Sequence, residues 1–229
     1  MWTTLVGSTI GRGQYVPFSF ADRSDLWAGS IAGAAAPDAM MPDRITIAQG
    51  LIAGTLVATE LGWQPVEELQ TGDRVVTFDS GMRPVKAVKV STLYTAAEAA
   101  PPQVWPLQIP AGALGNRTAM QVLPGQSLLI ESDVAEDLYG DAFLMLRAGV
   151  LDGYKGITRH APAPEVTVVT LEFDRDEVVY ANGTLLVQCP ALGQGGTDAE
   201  MRIAARPAPY QCLTEQQGRR LVAAMHVSG

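Results

Sequence analysis

The sequence is poor in the residues that most often build metal and catalytic centres. Its 229 residues include only two cysteines and two histidines. Cys189 and Cys212 form no CxxC pair, and His160 and His226 each lack a metal-binding partner nearby in the sequence. Because zinc sites need clustered ligands, we predict no metal and no cofactor. We interpret the cysteines as reduced, mostly buried thiols, with a disulfide as the alternative.

Positive charge and long apolar runs are also scarce. Lys and Arg number 16 against 24 Asp and Glu, a net charge of −8 without a basic stripe, so we expect no nucleic-acid partner. No apolar run approaches the ~20 residues that span a bilayer. The first residues lack the charged and apolar regions of a secretory signal, which favours the cytoplasm, with signal-less export as the alternative. The sequence points to no particular protein or small-molecule partner and to no oligomeric state.

Short apolar segments separated by turn residues make up most of the chain after residue 44. A content of 47% hydrophobic and 17% charged residues is typical of a globular protein. Strand length and β-branched content predict strands at Leu56–Thr59, Arg74–Phe78, Lys86–Val90, Gln103–Ile109, Ser127–Ile130, Glu165–Phe173 and Glu177–Ala181. A further short strand is indicated within Gln14–Phe20. Many short strands with regular turns predict an all-β fold.

Helix is expected at few places. Pro65–Leu69 predicts one or two turns, because proline and acidic residues suit a helix start. Asp141–Leu151 is compatible with a helix or an apolar strand. Thr214–Gln217 fits a capping box and predicts a C-terminal helix. We therefore divide the chain into an irregular extension (residues 1–44), a β domain (45–190), and a C-terminal loop and short helix packed on it (191–229).

Five segments follow one another in the order of a known family. They are GTLVATELGWQPVEELQTGDRVVTFDSGMRPV at 54–85, IPAGALGN at 109–116, VLPGQSLLI at 122–130, FLMLRAGVLDG at 143–153 and VTLEFDRDEVVYANG at 169–183. Together they resemble the Hint (Hedgehog/intein) domain, in particular its bacterial subgroup outside true inteins. The resemblance implies an all-β horseshoe of short, mostly antiparallel strands with pseudo-two-fold symmetry and one or two short helices.

The resemblance also implies a self-processing chemistry, which we can look for position by position. In active Hint domains a Cys or Ser attacks the carbonyl of the preceding residue, and a His in the central block protonates the leaving amide nitrogen. Here Gly50 stands at the nucleophile position, and Leu123 and Gln126 stand where the central block has Ser or Thr and His. Asp176 replaces the His of a later Arg-His-Glu pattern. The expectation is a degenerate domain with no catalytic residues, kept as a binding or structural module.

Self-processing through another nucleophile is the first alternative. Thr46, Thr55 and Ser127 are the hydroxyl candidates. We interpret Thr55 as bonded to the backbone, and Asp73 as a turn former with a polar role beside the site as its alternative.

A hydrolase or metal-assisted enzyme built on Asp174, Asp176 and Glu177 is the second alternative. Alternation along a strand would place Asp174 and Asp176 on one face, where their charges repel. The competing interpretation is a solvated strand end before Val178.

Overall fold

Short strands joined by tight turns build two sheets in the computed structural model, which describes residues 18–19, 49–94, 102–193 and 209–228. Within these ranges there are sixteen strands and two α-helices. The all-β prediction with one or two short helices is confirmed.

The first sheet has seven strands in the order β1-β7-β13-β2-β9-β8-β12. Its strands are β1 (Phe18–Ser19), β2 (Leu51–Ile52), β7 (Ala87–Tyr94), β8 (Leu107–Ile109), β9 (Met120–Val122), β12 (Thr158–Arg159) and β13 (Glu165–Glu172). The longest pairing in this sheet is the antiparallel ladder between β7 and β13. Strand β1 pairs with β7 in parallel at one edge of the sheet.

The second sheet has nine strands, with β4 paired to β3 beside the path β16-β11-β10-β15-β14-β3-β5-β6. Its strands are β3 (Leu56–Thr59), β4 (Gly62–Pro65), β5 (Arg74–Thr77), β6 (Gly81–Pro84), β10 (Ser127–Glu131), β11 (Phe143–Arg147), β14 (Glu177–Ala181), β15 (Leu185–Cys189) and β16 (Gln211–Cys212). All its pairings are antiparallel except that of β16 with β11.

The helices are short and lie between strands or at the C-terminal end. Helix α1 spans Asp133–Tyr139 and helix α2 spans Glu215–Ser228. Single 3₁₀ turns occur at Val66–Glu68, Pro102–Val104, Ala148–Leu151 and Tyr154–Gly156. The predicted capping box is confirmed, because the Gln217 amide N–H donates to Thr214 Oγ1 and the Thr214 amide N–H donates to Gln217 Oε1. No helix within the described ranges is long and apolar enough to cross a membrane.

One large apolar core joins both sheets. Leu107 and Ile109 of β8 and Leu128 of β10 are fully buried in it, as is Leu221 of α2. Each such side chain contributes roughly 1.5–3 kcal/mol through burial. The core therefore fixes the two sheets, and the C-terminal helix, relative to one another.

Several local predictions need correction. For Asp141–Leu151 the strand alternative is confirmed by the strand Phe143–Arg147, which a 3₁₀ turn follows, whereas Gln103–Ile109 is a strand only from Leu107. The sequence did not predict the strands β2, β4, β9, β12, β15 and β16 or the helix α1. Only residues 18 and 19 of Gln14–Phe20 are described, and the proposed division into three segments stays a prediction.

Candidate functional site

Gly50 and Gln126 meet where the chain passes between the two sheets. Gly50 immediately precedes β2 of the first sheet, and Gln126 ends the turn that leads from β9 into β10 of the second. The Gly50 amide donates a 2.8 Å hydrogen bond to Gln126 Oε1. Two positions separated by 76 residues, and both singled out from the sequence, therefore lie in direct contact.

The Gln126 side chain is held in one orientation by its three partners. Its Nε2 donates to the Gln188 carbonyl at 2.8 Å and to the Ser127 carbonyl at 3.2 Å. Two carbonyls require a donor and the Gly50 N–H requires an acceptor, so the partners assign the amide oxygen and nitrogen unambiguously. The side chain is 2% exposed, which makes each of these bonds costly to lose.

The space beside Gly50 is already filled by strand β13. A Cβ placed on Gly50 would lie 2.5 Å from Val168 Cγ1 and 3.1 Å from Thr170 Oγ1. Gly50 also has a φ of 139°, a conformation that side-chain-bearing residues rarely adopt. The backbone and its neighbour together specify glycine at this position.

Leu123 belongs to an apolar cluster next to this contact. It is buried against Ile52, Val166 and Val168, all from the first sheet. The turn is closed by the main-chain N–H of Gln126, which donates to the Leu123 carbonyl at 3.0 Å. The Leu123 side chain therefore packs beneath the turn that carries Gln126 and is apolar.

The three carboxylates of the later segment have separate partners. Asp174 is 72% exposed at its side chain and pairs with Lys86, while Asp176 Oδ1 accepts from the Ala191 amide at 2.8 Å. Asp174 and Asp176 lie in the turn before β14, so the predicted shared strand face is wrong.

Glu177 is buried, which corrects the interpretation of this segment as a solvated strand end. Its side chain is 4% exposed and accepts from Arg175 Nε at 2.9 Å, with Arg83 Nε 3.6 Å away. A buried carboxylate needs such cationic partners, and Arg83 comes from the distant strand β6.

The remaining sequence candidates are held by local structure or lie outside the site. The Thr55 hydroxyl donates to the Ile52 carbonyl at 2.6 Å, as predicted. Asp73 Oδ2 accepts from the Gln70 amide, which confirms its role in the turn. Ser127 begins β10 opposite Arg147. Thr46 lies outside the described residues.

Both cysteines are free, and only one of them is buried. Burial raises the pKa of the Cys189 thiol to about 12, helped by the negative charges of Asp176 and Glu177. The Cys189 thiol is therefore protonated at neutral pH, although it lies next to Gln188 in the sequence. Cys212 is exposed, which corrects the prediction of two mostly buried thiols; partial burial still raises the pKa of its thiol.

Neither histidine belongs to the site. His160 Nε2 lies 3.1 Å from the Thr158 hydroxyl, and the His226 ring packs edge-on against Tyr154. In the part of the chain that the structure describes, no three His, Cys, Asp or Glu side chains are grouped to hold a metal ion.

Sequence reasoning missed the residues that complete the site. Val168 and Thr170 lie on the predicted strand Glu165–Phe173, but its register against β2, which pairs Val168 with Ile52, could not be read from one sequence. Gln188 contributes through its main-chain carbonyl, which carries no sequence signal at all.

The fold and this contact define a two-sheet β protein with a polar junction between a strand start and a central turn. The chain belongs to the Hint domain family, whose model matches residues 49–186. The expectation from the sequence motifs is thereby confirmed.

Solved structures similar to the chain are intein-like domains. A bacterial intein-like domain from Clostridium thermocellum shares 16% identity and a TM-score of 0.43 over 61% of this chain and 97% of its own. The gp41-1 intein shares 14% identity and a TM-score of 0.37 over 60% of this chain and 96% of its own. No curated protein matches the chain.

Proposed function

We propose that this Hint domain no longer cleaves or splices and serves as a binding or structural module. The observation that carries the proposal is the contact between Gly50 and Gln126. In the self-processing chemistry of the family, a side chain at the first position attacks the preceding carbonyl and an imidazolium protonates the leaving nitrogen.

Neither half of that reaction is available to these residues. Gly50 has no side chain, and β13 fills the space that a nucleophile would need. Gln126 points an acceptor oxygen at the nitrogen that would have to be protonated, and a primary amide does not deliver a proton at physiological pH. The contact holds the Gln49–Gly50 peptide in place without activating it.

Self-processing by another nucleophile is the competing function. The hydroxyl of one residue lies close enough to Gly50 to be a candidate nucleophile. Thr170 Oγ1 lies near the position where a side chain on Gly50 would begin. A hydroxyl attack needs a base and the leaving nitrogen needs an acid, and Gln126 supplies neither. Thr55 is less suited, because its hydroxyl proton is donated to a carbonyl.

Trapping of the acyl intermediate tests the proposal. Attack of the Thr170 hydroxyl on the Gln49 carbonyl would break the Gln49–Gly50 bond and leave residues 1–49 attached to Thr170 as an ester, and attack of a cysteine thiol would give a thioester. Hydroxylamine cleaves both products, and excess thiol cleaves the thioester. We expect the purified protein to keep a single intact mass under both treatments. Release of residues 1–49 would overturn the proposal.

A Thr170→Val variant is the matched control for that experiment, because it removes the hydroxyl and keeps the branched shape. Fragments that form in the wild type and disappear in this variant would establish Thr170 as the nucleophile. Intact mass in both proteins supports a domain without the cleavage reaction.

A further inference from the structure

A polar cleft of about 280 Å³ opens beside β2 and β9, apart from the contact between Gly50 and Gln126. One wall is the turn at Ala53–Thr55, and the other is the segment Ala119–Gln121 with Gln108 beside it. Its volume lies just below the range of about 300–1,000 Å³ that is typical of small-molecule sites.

The cleft exists because β2 pairs with only the last residue of β9 and leaves the first two residues of that strand uncovered. The two antiparallel strands share one residue pair, Leu51 with Val122, although β9 begins two residues earlier at Met120. The chain after Ile52 turns away, closed by the Thr55 amide donating to the Ile52 carbonyl. Gly54 permits this turn with a φ of 86°.

β9 consequently has an open edge in this region. Alternate residues of an antiparallel strand direct their main-chain N–H and C=O groups to opposite neighbours. β8 pairs with one edge of β9 along its whole length. Among the described residues, no strand pairs with the other edge at Met120 and Gln121. Such an edge accepts an added strand.

Two glutamine side chains border the cleft without partners. Gln108 and Gln121 are directly opposite each other on β8 and β9, so they share one face of the sheet. Within the described ranges, neither side chain has a hydrogen bond or ion pair. Each primary amide offers both a donor and an acceptor, as a peptide group does.

The lining is uncharged, which limits the chemistry of a ligand. The cleft is formed by alanine, glycine, threonine, glutamine, isoleucine and methionine residues only. An ionic ligand would lose its hydration without gaining a counter-charge. A neutral chain of alternating donors and acceptors matches both the open edge and the two amides.

We propose that this cleft binds an extended, uncharged peptide segment, which pairs with the open edge of β9 and contacts Gln108 and Gln121. The mode is strand addition to a sheet, in which main-chain hydrogen bonds supply the affinity. The proposal specifies the ligand class of the binding module proposed above and rests on that function for its biological meaning.

Titration of the isotope-labelled full chain with a capped trialanine peptide tests the proposal by nuclear magnetic resonance. We expect saturable shifts at millimolar peptide in the side-chain amides of Gln108 and Gln121 and in the main chain of residues 119–121. No saturable shift, or shifts confined to other surfaces, would overturn it.

Variants make the test specific to the cleft. Ala119→Phe fills it from an exposed position, and a Gln108→Ala/Gln121→Ala variant removes both amides; each should weaken binding about tenfold or more. Gln216→Ala, an exposed glutamine on α2, should leave binding unchanged. Equal affinity in all variants, each with an unchanged backbone spectrum elsewhere, would refute the site.

The two proposals fail separately. Fragments in the mass spectrum would refute the loss of cleavage, whatever the titration shows. Absent peptide binding in an intact chain would refute the cleft and leave the loss of cleavage standing.

Discussion

The main-chain amide of Gly50 and the side-chain oxygen of Gln126 form a partly buried hydrogen bond of 2.8 Å across the junction of the two sheets. The amide nitrogen in this bond belongs to the peptide that an active Hint domain would break. Gln126 Oε1 accepts a hydrogen bond from that N–H, whereas the reaction requires a group that donates a proton to the nitrogen. At the position where the family resemblance implies a proton donor, this chain has an amide side chain bonded to main-chain groups.

Gly50→Ala should lower the free energy of unfolding more than Gly62→Ala does. Both glycines have a φ above 100°, but a Cβ on Gly62 meets no atom within 4 Å, whereas one on Gly50 meets Val168. We expect the overpacking to contribute about 1–3 kcal/mol to the difference. Urea denaturation of both variants provides the comparison.

Adding Val168→Ala tests the cause of that difference. The double variant should recover part of the loss, since the methyl group that the new Cβ meets is gone. A loss at Gly50 no larger than the loss at Gly62 would show that β13 does not fill the space.

Gln126→Ala should destabilise the protein by roughly 1–3 kcal/mol, because it leaves the Gly50 amide and the Gln188 carbonyl without partners. Gln188→Ala is the matched control, since Gln188 contributes only its main-chain carbonyl to this network. Thermal and urea unfolding of the two variants should rank Gln126→Ala well below Gln188→Ala. Similar stabilities would contradict the network.

Lys89→Met should destabilise the protein by roughly 3 kcal/mol. Glu172 is fully buried and its Oε1 lies 2.6 Å from Lys89 Nζ, while its Oε2 has no hydrogen-bond partner within the described residues. Removing the cation leaves a buried carboxylate uncompensated. Urea unfolding at pH 7 measures the loss.

The double variant Lys89→Met/Glu172→Leu distinguishes the charge from the packing. It should be more stable than Lys89→Met alone, because the uncompensated charge is removed with its partner. A double variant less stable than the single one would contradict the assignment of the loss to the uncompensated charge of Glu172.

Stability should fall at alkaline pH in part through Cys189. Its folded pKa of about 12 lies above that of an unfolded thiol, so the native state keeps a proton that the unfolded state releases. This contribution to stability is complete at neutral pH and declines by about 1.4 kcal/mol per pH unit between about pH 9 and pH 12.

The Cys189→Ala variant should have a shallower alkaline decline than the wild type, measured by urea unfolding across that range. Cys212→Ala is the comparison for a thiol at the surface. Parallel pH profiles for wild type and Cys189→Ala would contradict the assigned pKa.

The sequence predicts the family and the positions of the site better than it predicts the local structure. Gly50 and Gln126 were singled out through motif spacing, and the structure places them in direct contact. Strand β15 was missed, although it carries the Gln188 carbonyl, because a short apolar run gives no period. Glu177 was misread because a charged residue is usually solvated; its burial depends on Arg83, which only the fold brings near.

The measurement closest to the central claim is the mass of the purified full chain after prolonged incubation at neutral pH. Peptide mapping across the Gln49–Gly50 bond accompanies it. We predict one species at 24.3 kDa and an uncut bond, also for Gln126→His, because a restored imidazole still faces a glycine. Accumulation of a fragment that begins at Gly50 in the wild type would contradict the account.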